Sequence, residues 1–146
     1  MFLRKANSED MLDVFNWRND TLTRKMSVHG ATISRDTHKK WFQLSLEKFS
    51  CQMYIGVIEN IKVGMCRFDA NNQMKSSEVS ININPAMRGK KLSPILLTKS
   101  IEFYKLANNL TLTATIKKEN ISSLKIFHNC GFLINAYDDR YYYLSL

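Results

Sequence analysis

The chain has 146 residues, 45% of them hydrophobic and 23% charged, which suits one soluble domain spanning residues 1–146. No run of about 18 apolar residues occurs and the N-terminus lacks the apolar stretch of a signal peptide, so we expect a cytoplasmic protein without membrane contact. Its net charge of +8 indicates a polyanionic partner.

The distribution of charge and cysteine narrows the choice of partner and cofactor. Lysine and arginine are scattered along the chain without a long block, which disfavours nucleic acid and leaves a phosphorylated small molecule open. The three cysteines stand at unrelated spacings and do not suggest a disulfide framework or a zinc site. No spacing among the histidines and cysteines suggests a metal ion, so none is expected.

The periodicity of apolar residues predicts a sheet covered by helices. The first half of the chain is predicted to form a strand over 2–6, a helix from Asn7 or Ser8 to about 20, a polar segment over 21–32 and a helix from Ser34 to about 48. Two strands over 52–58 and 61–69 follow, and then a strand and a helix within 77–109. The last predicted elements are a strand over 110–116, a helix over 120–129 and a hairpin over 132–146. The side chains expected to face the core include Met11, Leu12 and Phe15 in the first helix and Trp41, Leu44 and Phe49 in the second. This order describes an α/β protein with a mixed twisted sheet of about seven strands and about four helices.

Residues 77–104 combine a strand, a basic turn and a helix. Polar residues from Glu78 onwards alternate in the strand with the apolar residues Val79, Ile81 and Ile83. The turn over 88–93 is basic, and Ser93 is predicted to cap a helix whose core side is Leu97, Ile101 and Tyr104. Because the first turn of a helix has unpaired N–H groups and a positive dipole, this turn favours a phosphate group. The alternative is a solvated basic turn between two core elements.

The order of elements, with two motifs, resembles the GNAT superfamily of acetyl-CoA-dependent N-acetyltransferases over nearly the whole chain. The family's phosphate-binding loop, Gln/Arg-x-x-Gly-x-Gly/Ala, is matched by Arg88, Gly89, Lys90, Lys91, Leu92 and Ser93. Two small residues of that pattern are replaced by Lys91 and Ser93, and the added lysine charge can pair with the same phosphates. A second motif, Asn-x-x-Ala/Ser-x-x-x-Tyr-x-x-x-Gly-Phe, is matched by Asn120, Ser123, Phe127, Gly131 and Phe132.

The resemblance implies a GNAT fold that binds acetyl-CoA. The backbone amides of the loop over 88–93 would hold the pyrophosphate, and those of Ile81 and Ile83 would bind the acetyl carbonyl and the pantetheine arm. The second motif would place Asn120, Ser123 and Phe127 at the cofactor. Phe127 stands where the family has a tyrosine and has no hydroxyl, so it would form a wall against the arm and not act as an acid.

The resemblance also implies a catalytic role for Glu78, at the start of the central strand. A glutamate here would act as the general base, because an amine must lose a proton as it attacks a thioester. The alternative is a solvated or ion-paired glutamate at a strand end.

Within the superfamily the chain is most similar to sugar-nucleotide N-acetyltransferases, such as the bacterial enzyme that acetylates a UDP-4-amino sugar in pseudaminic acid synthesis. The shared features are the triplet Trp17-Arg18-Asn19, the pattern His38-x-x-Trp41-Phe42 and a tyrosine-rich tail. The triplet also occurs in ribosomal-protein and spermidine acetyltransferases. The side chains expected at the acceptor are Met26, His29, His38, Trp41 and Phe42. Aromatic residues at helical spacing are more often part of a core, and that alternative stays open here.

We therefore predict transfer of an acetyl group from acetyl-CoA to the amino group of a nucleotide-linked amino-deoxy sugar. Acetylation of a protein N-terminus or of a polyamine is the alternative among enzymes. A GNAT-like module that binds CoA or RNA without catalysis is a third alternative, favoured by the irregular loop and the missing tyrosine. Tail strands in such folds can pair between subunits, so a homodimer is also open.

Overall fold

The computed structural model describes all residues, 1–146, as a seven-stranded mixed sheet with five α-helices. The strands are β1 (Phe2–Lys5), β2 (Cys51–Ile58), β3 (Ile61–Asn71), β4 (Ser76–Ile83), β5 (Thr111–Lys117), β6 (Leu133–Tyr137) and β7 (Tyr141–Ser145). The helices are α1 (Met11–Asn19), α2 (Thr21–Met26), α3 (Arg35–Glu47), α4 (Leu92–Lys105) and α5 (Ile121–Asn129). Short 3-10 turns cover Ser8–Asp10 and Pro85–Met87.

The strands lie in the order β1-β2-β3-β4-β5-β7-β6, and only β4 and β5 pair in parallel. The prediction of an α/β protein with a mixed sheet of about seven strands is therefore confirmed. The structure has one more helix than predicted, namely α2, which lies in the segment interpreted as a polar connection. Its six residues contain only one apolar pair at helical spacing, Leu22 and Met26, which is too short a pattern to predict a helix.

Helices cover both faces of the sheet and enclose two cores. Adjacent residues of β3 point to opposite faces, as a pleated strand requires, so Cys66 belongs to one core and Met65 to the other. The larger core lies beneath α4 and α5, where the rings of Phe68 and Tyr104 stack at 4.2 Å between centroids. The smaller core is formed with α1 and α3 and contains Phe42.

The side of α3 that faces the core differs from the prediction. Trp41, Leu44 and Phe49 are 38%, 57% and 102% exposed, and Leu12 of α1 is also exposed, so their assignment to the core is wrong. The buried stripe of α3 is His38, Phe42 and Ser45. Two of these three residues are polar, so the hydrophobic pattern of the sequence did not identify the buried side of α3.

The outer strand β6 presents all five of its residues to solvent. It lies at one edge of the sheet, where backbone N–H and C=O groups have no neighbouring strand. Pairing of tail strands between subunits stays a prediction. No helix of the structure is both long and apolar enough to cross a membrane.

A buried carboxylate joins the N-terminal elements. Asp10 is 0% exposed and accepts hydrogen bonds from both terminal nitrogens of Arg4 at 2.7 and 2.8 Å. Lys62 of β3 lies 2.8 Å from the same carboxylate, and the backbone N–H of Asn7 donates to it at 3.0 Å. Burial alone would raise the pKa of Asp10, but the hydrogen bonds from Arg4 and Lys62 outweigh it and lower the pKa to about 2.

We expect Asp10→Asn to lower the free energy of unfolding at pH 7 by about 2–3 kcal/mol, the equivalent of the shift in pKa. The folded-state pKa lies below the unfolded value, so this stability is present above about pH 4 and is lost as the pH falls through about 2. Urea unfolding of both proteins between pH 7 and pH 2 measures it, and the two stability curves should converge in acid. Asp13→Asn is the control, because Asp13 is 45% exposed and pairs only with Lys62, so its loss should cost under about 1 kcal/mol. Equal costs for the two variants would contradict the prediction.

Candidate active site

The sheet opens between β4 and β5. The two strands pair only where Ser76–Glu78 lie beside Thr111–Thr113, and beyond this point β4 continues along β3 while β5 continues along β7. A cavity of about 1200 Å³ occupies the opening and extends beneath α2 and α3. We call this cavity, with β4 and β5 as its floor, the cleft.

The backbone of β4 directs unpaired groups into the cleft. Asn84 donates its N–H to the carbonyl of Val63 at 2.9 Å, and the carbonyl of Lys75 accepts from Thr111 at 3.2 Å. Since backbone groups alternate in direction along a strand, the even-numbered residues of β4 pair with β3 and the odd-numbered residues face β5. The amides of Ile81 and Ile83 therefore point towards the opening, where β5 no longer pairs with β4.

The basic turn leaves backbone donors free at the start of α4. Gly89 and Lys91 have φ angles of 74° and 57°, and no backbone hydrogen bond outside helices and strands is donated by residues 89–91. The helix begins at Leu92 with Lys91 at the N-cap position and without a side-chain cap, so the prediction that Ser93 caps it is wrong. A Cβ added at Gly89 would meet nothing within 4 Å, so the φ angle, and not crowding, requires glycine there.

Only some residues of the basic turn over 88–93 line the cleft. Arg88, Gly89 and Ser93 line it, whereas Lys90, Lys91 and Leu92 do not. Lys91 lies in the left-handed region, where a Cβ costs about 1–2 kcal/mol, so glycine would suit this position better. The guanidinium of Arg88 donates from Nη2 to Asp20 Oδ2 at 2.6 Å and to Thr23 Oγ1 at 2.7 Å.

Glu78 presents a free carboxylate to the cleft. It is exposed, forms no ion pair, and lies at the last position where β4 pairs with β5. The residue opposite it on β3 is Asp69, whose two oxygens accept from Arg67 at 2.6 and 2.7 Å. The guanidinium of Arg67 also lies 4.6 Å from the ring centroid of Trp41. Arg67 thus neutralises one of two adjacent carboxylates and leaves the other unpaired.

Four of the five predicted acceptor residues line the cleft, namely Met26, His29, His38 and Trp41. Phe42 does not, because it is 0% exposed within the smaller core. His38 is 1% exposed, and burial lowers the pKa of its imidazole, which favours the neutral ring.

Arg18 also lines the cleft, although it was not among the residues predicted to bind the acceptor. Its Nη1 atom is buried without a partner, while Nη2 donates to the carbonyl of His29. Burial lowers the pKa of Arg18. The triplet Trp17-Arg18-Asn19 drew attention to this position, but nothing in the sequence placed its side chain in a cavity. Arg67, Asp69 and Glu119 are further charged cleft residues without a sequence signal.

The second motif borders the cleft from the side of α5. Asn120 caps this helix by accepting the N–H of Ser123 at 3.1 Å, and both residues line the cleft. Phe127 also lines it, is 3% exposed, and packs edge-on against Phe132 at 5.0 Å. No tyrosine lines the cleft, and no three His, Cys, Asp or Glu side chains stand close enough to hold a metal ion.

The sequence was compared with protein-family models and with proteins of curated function. A family model described as an acetyltransferase (GNAT) domain matches residues 1–133. No protein of curated function matches the sequence.

The fold is similar to several solved structures. A spermidine N-acetyltransferase from Vibrio cholerae in complex with CoA and spermine has a TM-score of 0.86 at 15% identity, with 99% of this chain and 94% of that chain covered. A dodecameric structure of spermidine N-acetyltransferase from the same organism has a TM-score of 0.80 at 16% identity, covering 99% and 92%. The acetyltransferase candidate yncA from Salmonella typhimurium, with its cofactor acetyl-CoA, has a TM-score of 0.83 at 18% identity, covering 100% and 92%. At these identities the likeness shows a shared fold.

Proposed function

Because the chain belongs to the acetyltransferase (GNAT) family, we propose that it transfers the acetyl group of acetyl-CoA to a primary amine in the cleft. The observation that carries the proposal is the opening between β4 and β5, where the amides of Ile81 and Ile83 face the same cleft as the free carboxylate of Glu78. A thioester bound along β4 would lie between donors for its carbonyl oxygen and a base for the incoming amine.

The free N–H groups over residues 89–91 and the start of α4 suit the pyrophosphate of the cofactor. Two residues with positive φ and a helix start without a side-chain cap leave several N–H donors free in this loop. The open space beside Gly89 lets a phosphate approach the backbone, and the charges of Lys90 and Lys91 would add attraction from outside the cleft. The side of α5 formed by Asn120, Ser123 and Phe127 would pack against the pantetheine arm.

The reaction needs no covalent enzyme intermediate. The amine nitrogen attacks the thioester carbonyl, the C–N bond forms, and the C–S bond breaks to release the thiolate of CoA. Glu78 accepts the proton that the nitrogen loses, and the β4 amides stabilise negative charge on the carbonyl oxygen. A thiol has a pKa near 8.5, so the thiolate can leave at neutral pH without a dedicated acid.

A polyamine is the first candidate for the acceptor. Two of the similar structures are spermidine N-acetyltransferases, and one of them was solved with spermine. The cleft offers the unpaired carboxylate of Glu78 and the carboxylate of Glu119, which would attract the ammonium groups of such a chain.

A nucleotide-linked amino sugar is the second candidate, favoured by Arg18. The buried Nη1 of this side chain lacks a partner, and a phosphate oxygen is a ligand that arginine binds well. The imidazole of His38 and the indole of Trp41 border the same cavity and could pack against a base or a sugar.

We expect acetyl-CoA to raise the melting temperature, since a ligand at about 100 times its Kd stabilises a protein by about 2.7 kcal/mol. CoA release is then measured with spermidine, spermine, a UDP-linked 4-amino sugar and a peptide with a free N-terminus. Turnover ranked highest for the polyamines supports the first candidate, and turnover ranked highest for the sugar supports the second. Binding of acetyl-CoA without release of CoA in the presence of any of these amines would indicate a module without catalysis. An unmoved melting temperature at saturating acetyl-CoA would overturn the proposal.

A further inference from the structure

The helix α2 forms part of the cleft wall without being anchored in a core. Its residues Leu22, Thr23 and Met26 line the cleft, yet none of its six residues is buried. An isolated helix of this length is unstable in water because one turn of hydrogen bonds does not offset the cost of nucleation. The position of this wall therefore depends on the polar contacts that α2 makes with its neighbours.

These contacts reach both sides of the opening. At the N-terminal end of α2, Arg88 of the basic loop donates to Asp20 and Thr23 at 2.6 and 2.7 Å. At the C-terminal end, Lys117 donates to the carbonyl of Lys25 at 3.0 Å, and Asn120 Nδ2 lies 3.5 Å from the carbonyl of Met26. The helix thus bridges the β4 side and the β5 side of the cleft.

Asp20 has two separable roles in this bridge. Its Oδ2 atom accepts the backbone N–H of Thr23 at 3.0 Å, which caps α2, and the same atom accepts Nη2 of Arg88. Arg88 uses only Nη2 in these contacts, so Nη1 and Nε remain available for an anion at the loop. One guanidinium can therefore hold Asp20 and a phosphate at the same time.

We propose that Asp20 is a positioning residue that couples the cofactor loop to the acceptor wall through Arg88. An anion on the loop would restrict Arg88, and Arg88 would in turn hold α2 across the cleft, so the acceptor wall is set when the cofactor is in place. The inference rests on the proposed function, because it needs a phosphate-bearing cofactor at residues 88–93. Beyond that function, it assigns to Asp20 the coupling between cofactor binding at the loop and the position of the acceptor wall.

The test separates the ion pair from the helix cap. Asp, Asn and Ser are similarly good N-cap residues, so both Asp20→Asn and Asp20→Ser keep the cap of α2. Asp20→Asn weakens the contact with Arg88, and Asp20→Ser removes it. Asp36→Ser is the matched control, since Asp36 is an exposed acid in the first turn of α3 and forms no ion pair.

The first readout is hydrogen exchange at the amides of Arg24 and Ser27, which donate to the carbonyls of Asp20 and Thr23 at 2.9 Å each. We expect acetyl-CoA to slow their exchange about 5- to 10-fold in the wild type and in Asp36→Ser, a typical coupling between sites. The slowing should be smaller in Asp20→Asn and under about twofold in Asp20→Ser.

The second readout is kinetic. The KM for the amine should rise about 5- to 10-fold in Asp20→Ser, while the Kd for acetyl-CoA changes less than about threefold, because the loop amides remain in place. Equal slowing of exchange in Asp20→Ser and the wild type would overturn the inference, as would an unchanged KM for the amine. If the wild type binds acetyl-CoA and α2 does not respond, only this inference fails. If the wild type does not bind acetyl-CoA, the proposed function fails with it.

Discussion

Glu78→Gln is expected to lower kcat by about 10²–10⁴-fold, the usual contribution of a general base, with little change in the affinity for acetyl-CoA. Glutamine keeps the shape of the side chain but cannot take a proton from the attacking amine. Glu78 lies at the point where β4 and β5 separate, so its carboxylate borders the same cleft as Ile81 and Ile83, whose amides would bind the thioester. Steady-state kinetics with a saturating amine measure kcat, and thermal shift with acetyl-CoA measures binding separately.

The matched control is Glu119→Gln, because Glu119 is a second carboxylate of the same cleft, located at the far end of β5. It should keep kcat within about twofold of the wild type. Asp69 is a weaker candidate base, since Arg67 binds both of its oxygens. A Glu78→Gln variant within about twofold of the wild type would contradict the assignment and direct the search to His29 and His38.

The sequence predicted the central unit of the fold well, because its signals are local. Alternation in β4 put Val79 in the core, and helical spacing put Leu97, Ile101 and Tyr104 there as well. Each of these patterns needs only neighbours within one element, which is why periodicity identifies them. The start of α4 was less well predicted, because a left-handed residue at Lys91 begins the helix before the serine that looks like its cap.

The cleft itself could not be predicted from any one segment. Both β4 and β5 look like ordinary strands, and their separation depends on the neighbours that each follows, β3 and β7. The contact between Asp20 and Arg88 joins residues 68 positions apart, so only the fold brings them together. The same holds for Arg67 and Trp41, whose pairing requires α3 to lie across β3 with its indole exposed to the cleft.

The substrate class is the part of the site that local motifs identify least. The triplet around Arg18 favoured a sugar nucleotide, whereas the similar structures include spermidine N-acetyltransferases. Both classes present a primary amine to the same reacting centre, so the loop and β4 do not distinguish them. We expect discrimination between them to depend on the charged residues of the cleft away from β4, where Arg18 would favour an anion and Glu119 a cation.

Phe127→Ala is expected to lower the free energy of unfolding by about 3–5 kcal/mol, as large-to-small changes of a buried phenylalanine do, and to weaken acetyl-CoA binding. The ring is 3% exposed and packs against Phe132 at 5.0 Å, so its removal leaves a void beside α5. The ring also lines the cleft, so the same deletion removes a surface for the pantetheine arm. Urea unfolding and acetyl-CoA titration measure the two effects, with Phe127→Leu as the control that keeps most of the volume.

Phe127→Tyr should keep or raise activity, because the ring lines the cleft and the similar family motif has a tyrosine here that can protonate the leaving thiolate. The wild type should not depend on a tyrosine acid, since no tyrosine lines the cleft. Tyr104 is 1% exposed and stacks on Phe68 in the larger core, and the hydroxyl of Tyr143 donates to Asp138 at 2.6 Å. The rate–pH profile of Tyr104→Phe and of Tyr143→Phe should therefore match the wild type. A basic limb near pH 10 that disappears in either variant would show a replacement acid and refute the assignment of Phe127 as a wall.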